Sequence, residues 1–156
     1  MNATFSEAMI ALLIPALAVV AVIDLRTRTI PHWLTGGIAL AAIPFWVVSG
    51  LDLWPDVAMR IGVAASVFGA FTLVWLMGQM GGGDVKLLGA LALWVPWQAV
   101  VVLLVIMSVG GGLLTAAMLV RRAMQEKKQT IEVPYGVAIA LGGVWLIGER
   151  FLNQFG

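Results

Sequence analysis

The sequence predicts an all-α integral membrane protein, a bundle of about six transmembrane helices. Hydrophobic residues make up 62% of the 156 residues and charged residues only 11%. The mean hydropathy is +1.03, and no long polar segment interrupts the apolar runs. A soluble domain of this length would need a polar surface, which eight acidic and nine basic residues cannot provide. We therefore expect a single integral membrane domain over residues 1–156, with no separate soluble domain.

Six apolar segments are candidates for the helices. A full span needs about 20 apolar residues, and five of the segments approach or exceed that length. The fourth segment is about half as long. It is therefore either a short or tilted helix extended towards Pro96 or a re-entrant piece buried by its neighbours. In chain order the segments are Ala8–Ile23, Trp33–Gly50, Val57–Met77, Val85–Trp94, Gln98–Val120 and Val133–Gly148.

The basic residues predict the orientation in the membrane. No Lys or Arg precedes the first apolar run, so we expect a retained first helix with its N-terminus outside, not a secretory signal peptide. Basic residues then concentrate on the cytoplasmic side. Asp24 and Asp84 are then predicted to lie on that same side. The predicted inside set is Arg26, Arg28, Lys86, Arg121, Arg122, Lys127 and Lys128, and the outside set is Arg60 and Arg150.

Other features also favour a membrane location. Residues 121–132 form the longest polar stretch and are predicted to be a cytoplasmic loop that sets topology and contacts lipid headgroups. Tryptophans near the segment ends are typical of interfacial belts. These tryptophans are Trp33, Trp54, Trp94 and Trp97.

The residue types exclude several kinds of chemistry. The chain has no cysteine, which excludes disulfides, thiolate zinc sites and cysteine nucleophiles. A single histidine leaves no conventional transition-metal cluster. We therefore expect no metal and no other cofactor, and no nucleic-acid partner.

Asp24 is the first candidate functional residue, because it follows the first apolar run directly. A carboxylate at the edge of a bilayer is costly and is usually kept for function. The motif continues as DLRTRTIPHWLT, in which Ile-Pro opens the second helix. An alternative is a structural Asp24 paired with Arg26 or Arg28. His32 in the same motif is expected to be an interfacial polar residue and not a catalytic base.

Asp84 is the second candidate, because it follows three glycines in GGGDVK. Gly81 and Gly83 allow unusual backbone conformations and close approach of another chain, which should place Asp84 at the start of the fourth helix. A carboxylate there is stabilised by the helix N-terminus. The alternative is a glycine turn with Asp84 as a helix N-cap. Two membrane-edge carboxylates on one side suggest a shared proton and aspartyl chemistry.

Two further motifs have simpler explanations. Pro134, Tyr135 and Gly136 precede the last apolar segment, where they can mark a helix start with an interfacial aromatic. The triple glycine 110–112 in the fifth segment predicts close helix packing.

The motifs DLRTRTIPHWLT, GGGDVKLLGAL and VPYGVAIA, in this order and spacing, resemble those of the type IV prepilin peptidases, the GxGD-type aspartyl membrane peptidases. The resemblance covers nearly the whole chain. It is closest to the short, peptidase-only branch that serves tight-adherence pili. The longer bifunctional enzymes carry a cytoplasmic domain with CxxC motifs and methylate the new pilin terminus. Since this chain has no cysteine and no room for that domain, no methyltransferase activity is expected. Many relatives have Asn where this chain has His32.

The resemblance implies that Asp24 and Asp84 are the catalytic pair. One ionised carboxylate would take a proton from water while the other, protonated, donates a hydrogen bond to the scissile carbonyl. The residues alone leave open which carboxyl holds the proton, because such a pair titrates as a unit. Lys86 and Arg26 could lower the pKa values of the pair or bind substrate.

The resemblance also implies the partners. The substrate would be a pre-pilin or pseudopilin with a short basic leader that ends in glycine, followed by an apolar helix. Membrane lipids and the pilus or secretion assembly machinery would be the other partners. Pro134, Tyr135 and Gly136, with Gly81 and Gly83, are the supporting or substrate-binding residues in this interpretation.

Two rival functions remain open. A proton- or ion-coupled transporter component could use the two Asp residues as relay sites. Such ion sites usually lie near the bilayer midplane, whereas Asp24 and Asp84 lie at predicted span ends. A non-catalytic scaffold of a secretion complex would tolerate Asp-to-Asn changes at both positions.

Overall fold

The computed structural model describes the backbone of residues 2–124 and 135–154, and the side chains of 5–120 and 135–149. Within these ranges the chain forms six α-helices and a short π-helical turn over Leu53–Val57, with no strand. The predicted all-α bundle is confirmed. The helices are α1 (Asn2–Thr27), α2 (His32–Val48), α3 (Ala58–Leu76), α4 (Gly82–Ala92), α5 (Trp97–Met124) and α6 (Tyr135–Gln154).

Three described helical segments are each long and apolar enough to cross a bilayer: Phe5–Thr27, Leu53–Leu76 and Trp97–Val120. Two shorter apolar helices, His32–Val48 and Tyr135–Glu149, accompany them. Large apolar side chains cover the outer surface of the bundle, for example Leu12 at 68% exposure and Val47 at 77%. An apolar exterior of this kind suits contact with lipid.

Helix α4 lies at the centre of the packing. It contacts α2, α3 and α6, while α6 in turn packs against α1 and α5. With 11 residues, it is about 16 Å long, roughly half the thickness of a bilayer core. The fourth apolar segment is therefore a short helix that ends at Ala92 and is buried by its neighbours.

Side chains of neighbouring helices satisfy the carbonyl groups at the C-terminal end of α4. The indole N–H of Trp46 donates to the Leu93 carbonyl at 2.9 Å, and the Arg60 guanidinium donates to the Trp94 carbonyl at 2.7 Å. A helix end inside an apolar bundle needs such partners, because its last carbonyls have none within the helix. These two bonds allow α4 to stop short without leaving exposed polar backbone.

Trp94 corrects one expectation. It is only 4% exposed, its ring stacks on Phe45 with centroids 4.9 Å apart, and its N–H donates to the Ile38 carbonyl at 2.9 Å. Trp94 is therefore a core residue and not part of an interfacial belt, because α4 is too short to carry it to the surface. The other predicted belt residues, Trp33, Trp54 and Trp97, are 70%, 82% and 50% exposed.

Glycines bring α6 close to its neighbours. A Cβ at Gly142 would lie 2.8 Å from Leu103 of α5, and one at Gly143 would lie 2.8 Å from Leu17 of α1. The predicted packing role of the α5 glycines holds for two of the three. A Cβ at Gly110 or Gly111 would meet α6, whereas one at position 112 would meet open space. This close packing fixes the start of α6 relative to α1 and α4.

Candidate active site

Asp24 lies in the last turn of α1 and is only 3% exposed. Helix α1 ends at Thr27 because Arg28 adopts a left-handed conformation (φ 54°), with its N–H bonded to the Asp24 carbonyl at 2.9 Å. A residue in this conformation commonly terminates a helix. The buried carboxylate is therefore held at the point where α1 stops and the chain turns towards α2.

Asp84 lies in the first turn of α4 and is 6% exposed. Gly81 is the N-cap, with its carbonyl accepting the Asp84 N–H at 3.1 Å. Asp84 is thus the third residue of the helix and not the cap itself. Its carboxylate interacts with the backbone N–H of Gly81, an arrangement in which a third-position carboxylate satisfies the amide of the N-cap residue.

The N-terminus of α6 joins the two carboxylates. The Val137 N–H donates to Asp24 Oδ2 at 3.1 Å. The backbone N–H of Gly136 interacts with both Asp24 and Asp84. Free amides in the first turn of a helix, together with the helix dipole, stabilise negative charge. Residues from three separate helices therefore form one acidic centre.

The electrostatic environments of the two carboxylates differ. Asp84 lies outside the three long apolar segments, and burial, followed by repulsion from the Asp24 carboxylate, raises its pKa to about 7. Asp24 is attracted by the charge of Arg28. Two nearby buried carboxyls cannot both ionise cheaply, so the pair favours a state with a single negative charge.

Three glycines leave no free space for a side chain, two of them beside a carboxylate and the third beside Ile30. A Cβ at Gly136 would lie 2.7 Å from Asp24 Oδ2, and one at Gly81 would lie 2.9 Å from Asp84 Oδ2. A Cβ at Gly83 would lie 2.9 Å from the Cβ of Ile30. Space beside the carboxylates therefore favours glycine at positions 81 and 136, and space beside Ile30 favours glycine at position 83.

Ile30 was not among the sequence candidates, although it contacts both glycine-bearing helices. It is 5% exposed, and its Cδ1 would lie 2.8 Å from a Cβ at Gly136. The same side chain faces Gly83 on α4. Ile30 therefore lies between Gly83 of α4 and Gly136 of α6 and acts as a spacer between these two helix starts. The flanking glycines signal a close neighbour but do not identify it.

Both carboxylates line a cavity of about 740 Å³. Lys86 also lines it, with its ammonium group 3.2 Å from His32 Nδ1. Tyr135, the first residue of α6, forms part of the wall. The Tyr135 ring packs against Gly111 of α5: a Cβ added at Gly111 would lie 2.5 Å from Cε1 of the ring.

The remaining predicted residues lie elsewhere. Arg26 is exposed on the last turn of α1 and is not among the residues that line the cavity, whereas Arg28 is. Pro134 lies outside the described residues. No group of three or more His, Asp or Glu side chains that could hold a metal ion is found among the residues described.

A comparison with known protein families gives a match over most of the chain. The type IV leader peptidase family matches residues 11–116, a range that includes both Asp24 and Asp84. No curated protein and no solved structure matches the chain significantly. The chain therefore belongs to the type IV leader peptidase family, which indicates a peptidase.

Proposed function

We propose that the protein is an aspartic endopeptidase that removes the N-terminal leader of type IV or tight-adherence pre-pilins by water attack. The observation that carries this proposal is the joining of two buried carboxylates from α1 and α4 by the N-terminus of α6. Family membership supports a leader peptidase. The pair supplies the acid and the base that peptide hydrolysis needs without a covalent intermediate.

We assign the negative charge of the pair to Asp24 and the proton to Asp84. Asp24 accepts the Val137 N–H, interacts with Gly136 and is attracted by Arg28. The pKa of Asp84 is raised to about 7, so its carboxyl keeps its proton below that pH, where an ordinary aspartate would be ionised. Asp24 would then take the proton from the attacking water, while the Asp84 carboxyl donates a hydrogen bond to the scissile carbonyl and stabilises the developing oxyanion.

The substrate should carry glycine immediately before the cut. A Cβ at Gly81 or Gly136 would lie less than 3.0 Å from a carboxylate oxygen, so the substrate backbone must approach a crowded centre. A side chain at the last leader position would displace the scissile carbonyl, and a displacement of about 1 Å can cost on the order of a hundredfold in rate. Replacing that glycine of the substrate with leucine should therefore nearly stop cleavage.

The test is cleavage of a purified candidate pre-pilin by the protein in lipid, with product masses measured. We expect a leader ending in glycine and a shortened pilin, without methylation of the new N-terminus by this protein alone. Cleavage should persist with a chelator present. Loss of cleavage on chelation, restored by zinc, would indicate a metallopeptidase, and absence of a shortened product would reject the leader-peptidase assignment.

We further propose that the cavity opens to the cytoplasm from a bacterial inner membrane. A single cysteine can be placed without background, because the chain has none. Thr27→Cys at the exposed end of α1 should be labelled from the inside, and Asp52→Cys in the connection between α2 and α3 from the outside. Labelling of both from one side would contradict the orientation.

A further inference from the structure

A second groove adjoins the acidic cavity. It lies between α2, α3 and α4 and has a volume of about 490 Å³. The groove and the cavity share three lining residues, Phe68, His32 and Lys86. A chain that leaves the cavity at this junction therefore enters the groove directly.

The groove wall is apolar and formed largely by small residues. Gly36 and Ala39 line it from α2, Ala64 and Ala65 from α3, and Ala90 from α4. Small residues allow the backbone of another helix to approach closely in a membrane, where packing drives association. The shape and chemistry of the groove suit an apolar helix.

The polar groups of the groove are concentrated at its junction with the cavity. There the Lys86 ammonium group lies 3.2 Å from His32 Nδ1. A peptide positioned for cleavage is extended near the cut, so its carbonyl groups lack helical partners and need donors in an apolar setting. Lys86 has further N–H donors for such a carbonyl group. The junction thus suits the change from extended peptide to helix.

We propose that this groove binds the apolar helix that follows the scissile bond of the substrate. The proposal rests on the proposed function, because it takes the Asp24–Asp84 cavity as the place of cleavage. The helix packs against the small residues of α2, α3 and α4, while Lys86 binds the extended segment that leads to the carboxylates. Specificity for a membrane-inserted substrate follows from this lateral contact.

A smaller groove on the other side of α2 provides a matched comparison. It lies between α1 and α2, has a volume of about 240 Å³ and is also apolar. Gly37 and Ala41 line it, but it shares no lining residue with the acidic cavity. A substrate helix bound there would not lead directly to the carboxylates.

Two adjacent glycines of α2 allow the two grooves to be tested separately. Gly36 lines the larger groove and Gly37 the smaller one, and an added Cβ at either position meets no atom within 4 Å. A side chain at either position therefore starts without a clash at its Cβ, and a leucine there extends into the groove that its own position lines. Gly36→Leu should raise the KM for a helix-bearing pre-pilin by roughly tenfold or more, with kcat little changed. Gly37→Leu should cleave as the wild type does.

Disulfide trapping gives an independent readout. In the inactive Asp84→Asn background, Ala39→Cys should cross-link to a cysteine in the substrate helix, whereas Ala41→Cys should not. Equal kinetics of Gly36→Leu and Gly37→Leu, or preferential cross-linking through position 41, would overturn the groove assignment. If the wild type cleaves the pre-pilin, the proposed function stands whichever groove binds the helix. If the wild type does not cleave it, the proposed function itself is rejected, and the groove assignment falls with it.

Discussion

Helices α3 and α4 follow one another in the chain and are both apolar, but they lie in opposite environments. Only Ala64 and Val67 of α3 are buried, whereas eight of the 11 residues of α4 are. In a membrane both the lipid and the protein interior are apolar, so hydrophobicity alone does not distinguish a lipid-facing helix from a buried one. The short length of α4 and the glycines and carboxylate at its start distinguish it, and they mark the helix that carries Asp84.

The largest difference between the two helices should appear on replacing a glycine in each. Gly83→Ala on α4 places a Cβ 2.9 Å from the Ile30 Cβ, so either Ile30 or the first turn of α4, which carries Asp84, must move, whereas Gly69→Ala on α3 meets open space. We expect kcat/KM for pre-pilin cleavage to fall by about a hundredfold in the first variant, since about 1 Å of displacement has that effect, and to be unchanged in the second.

Both alanine variants should first be shown to be folded by gel filtration and thermal unfolding in detergent. Full activity of folded Gly83→Ala would show that the spacing between Ile30 and α4 does not position Asp84. An equal loss of activity in Gly69→Ala would remove the distinction between the helices.

The buried position of Asp84 on α4 also predicts a pH dependence. Its pKa is raised to about 7, so the carboxyl holds its proton below that pH and loses it above. If the protonated form is required, kcat/KM should fall about tenfold for each pH unit above 7. The measurement is a pH profile with unfolding followed at each pH. A rate that stays constant to a pH well above 7 would contradict the role of Asp84 as proton donor.

The smallest effect is expected on stability. Leu88 of α4 is 0% exposed and Leu73 of α3 is 63% exposed. Leu88→Ala should lower the free energy of unfolding by roughly 1–3 kcal/mol. This loss is smaller than that of many Leu→Ala substitutions in the cores of soluble proteins, because the unfolded chain in a membrane also lies in apolar surroundings. Leu73→Ala should change it little. Chemical denaturation of both variants in one detergent provides the comparison, and equal losses would contradict the buried position of α4.

Much of this architecture could be predicted from the sequence. Each apolar segment corresponds to one helix, since segment length and hydrophobicity are properties of the chain alone. The position of Asp84 in the first turn of α4 followed from the preceding glycines. The burial of Trp94 could not be predicted, because it depends on α4 ending inside the bundle and on its contacts with Phe45 and Ile38.

The close surroundings of the carboxylates were only partly predictable. Arg28, and not Arg26, lines the cavity with Asp24. Helical spacing gave no signal for this, because Arg28 follows the end of α1 in a left-handed conformation and does not share a helix face with Asp24. Ile30 gave no signal either, since its role depends on contacts with α4 and α6 that form only in the folded bundle. The continuity of the cavity with the groove likewise depends on the packing of α2, α3 and α4.

The most direct test of the paired-carboxylate mechanism is pre-pilin cleavage by Asp24→Asn and Asp84→Asn beside the wild type, at equal levels of folded protein in lipid. Asparagine keeps the size and hydrogen bonding of aspartate but cannot carry the charge or the acid proton. We expect the shortened pilin from the wild type and none from either variant. Substantial cleavage by one variant would remove that residue from catalysis and contradict the paired mechanism.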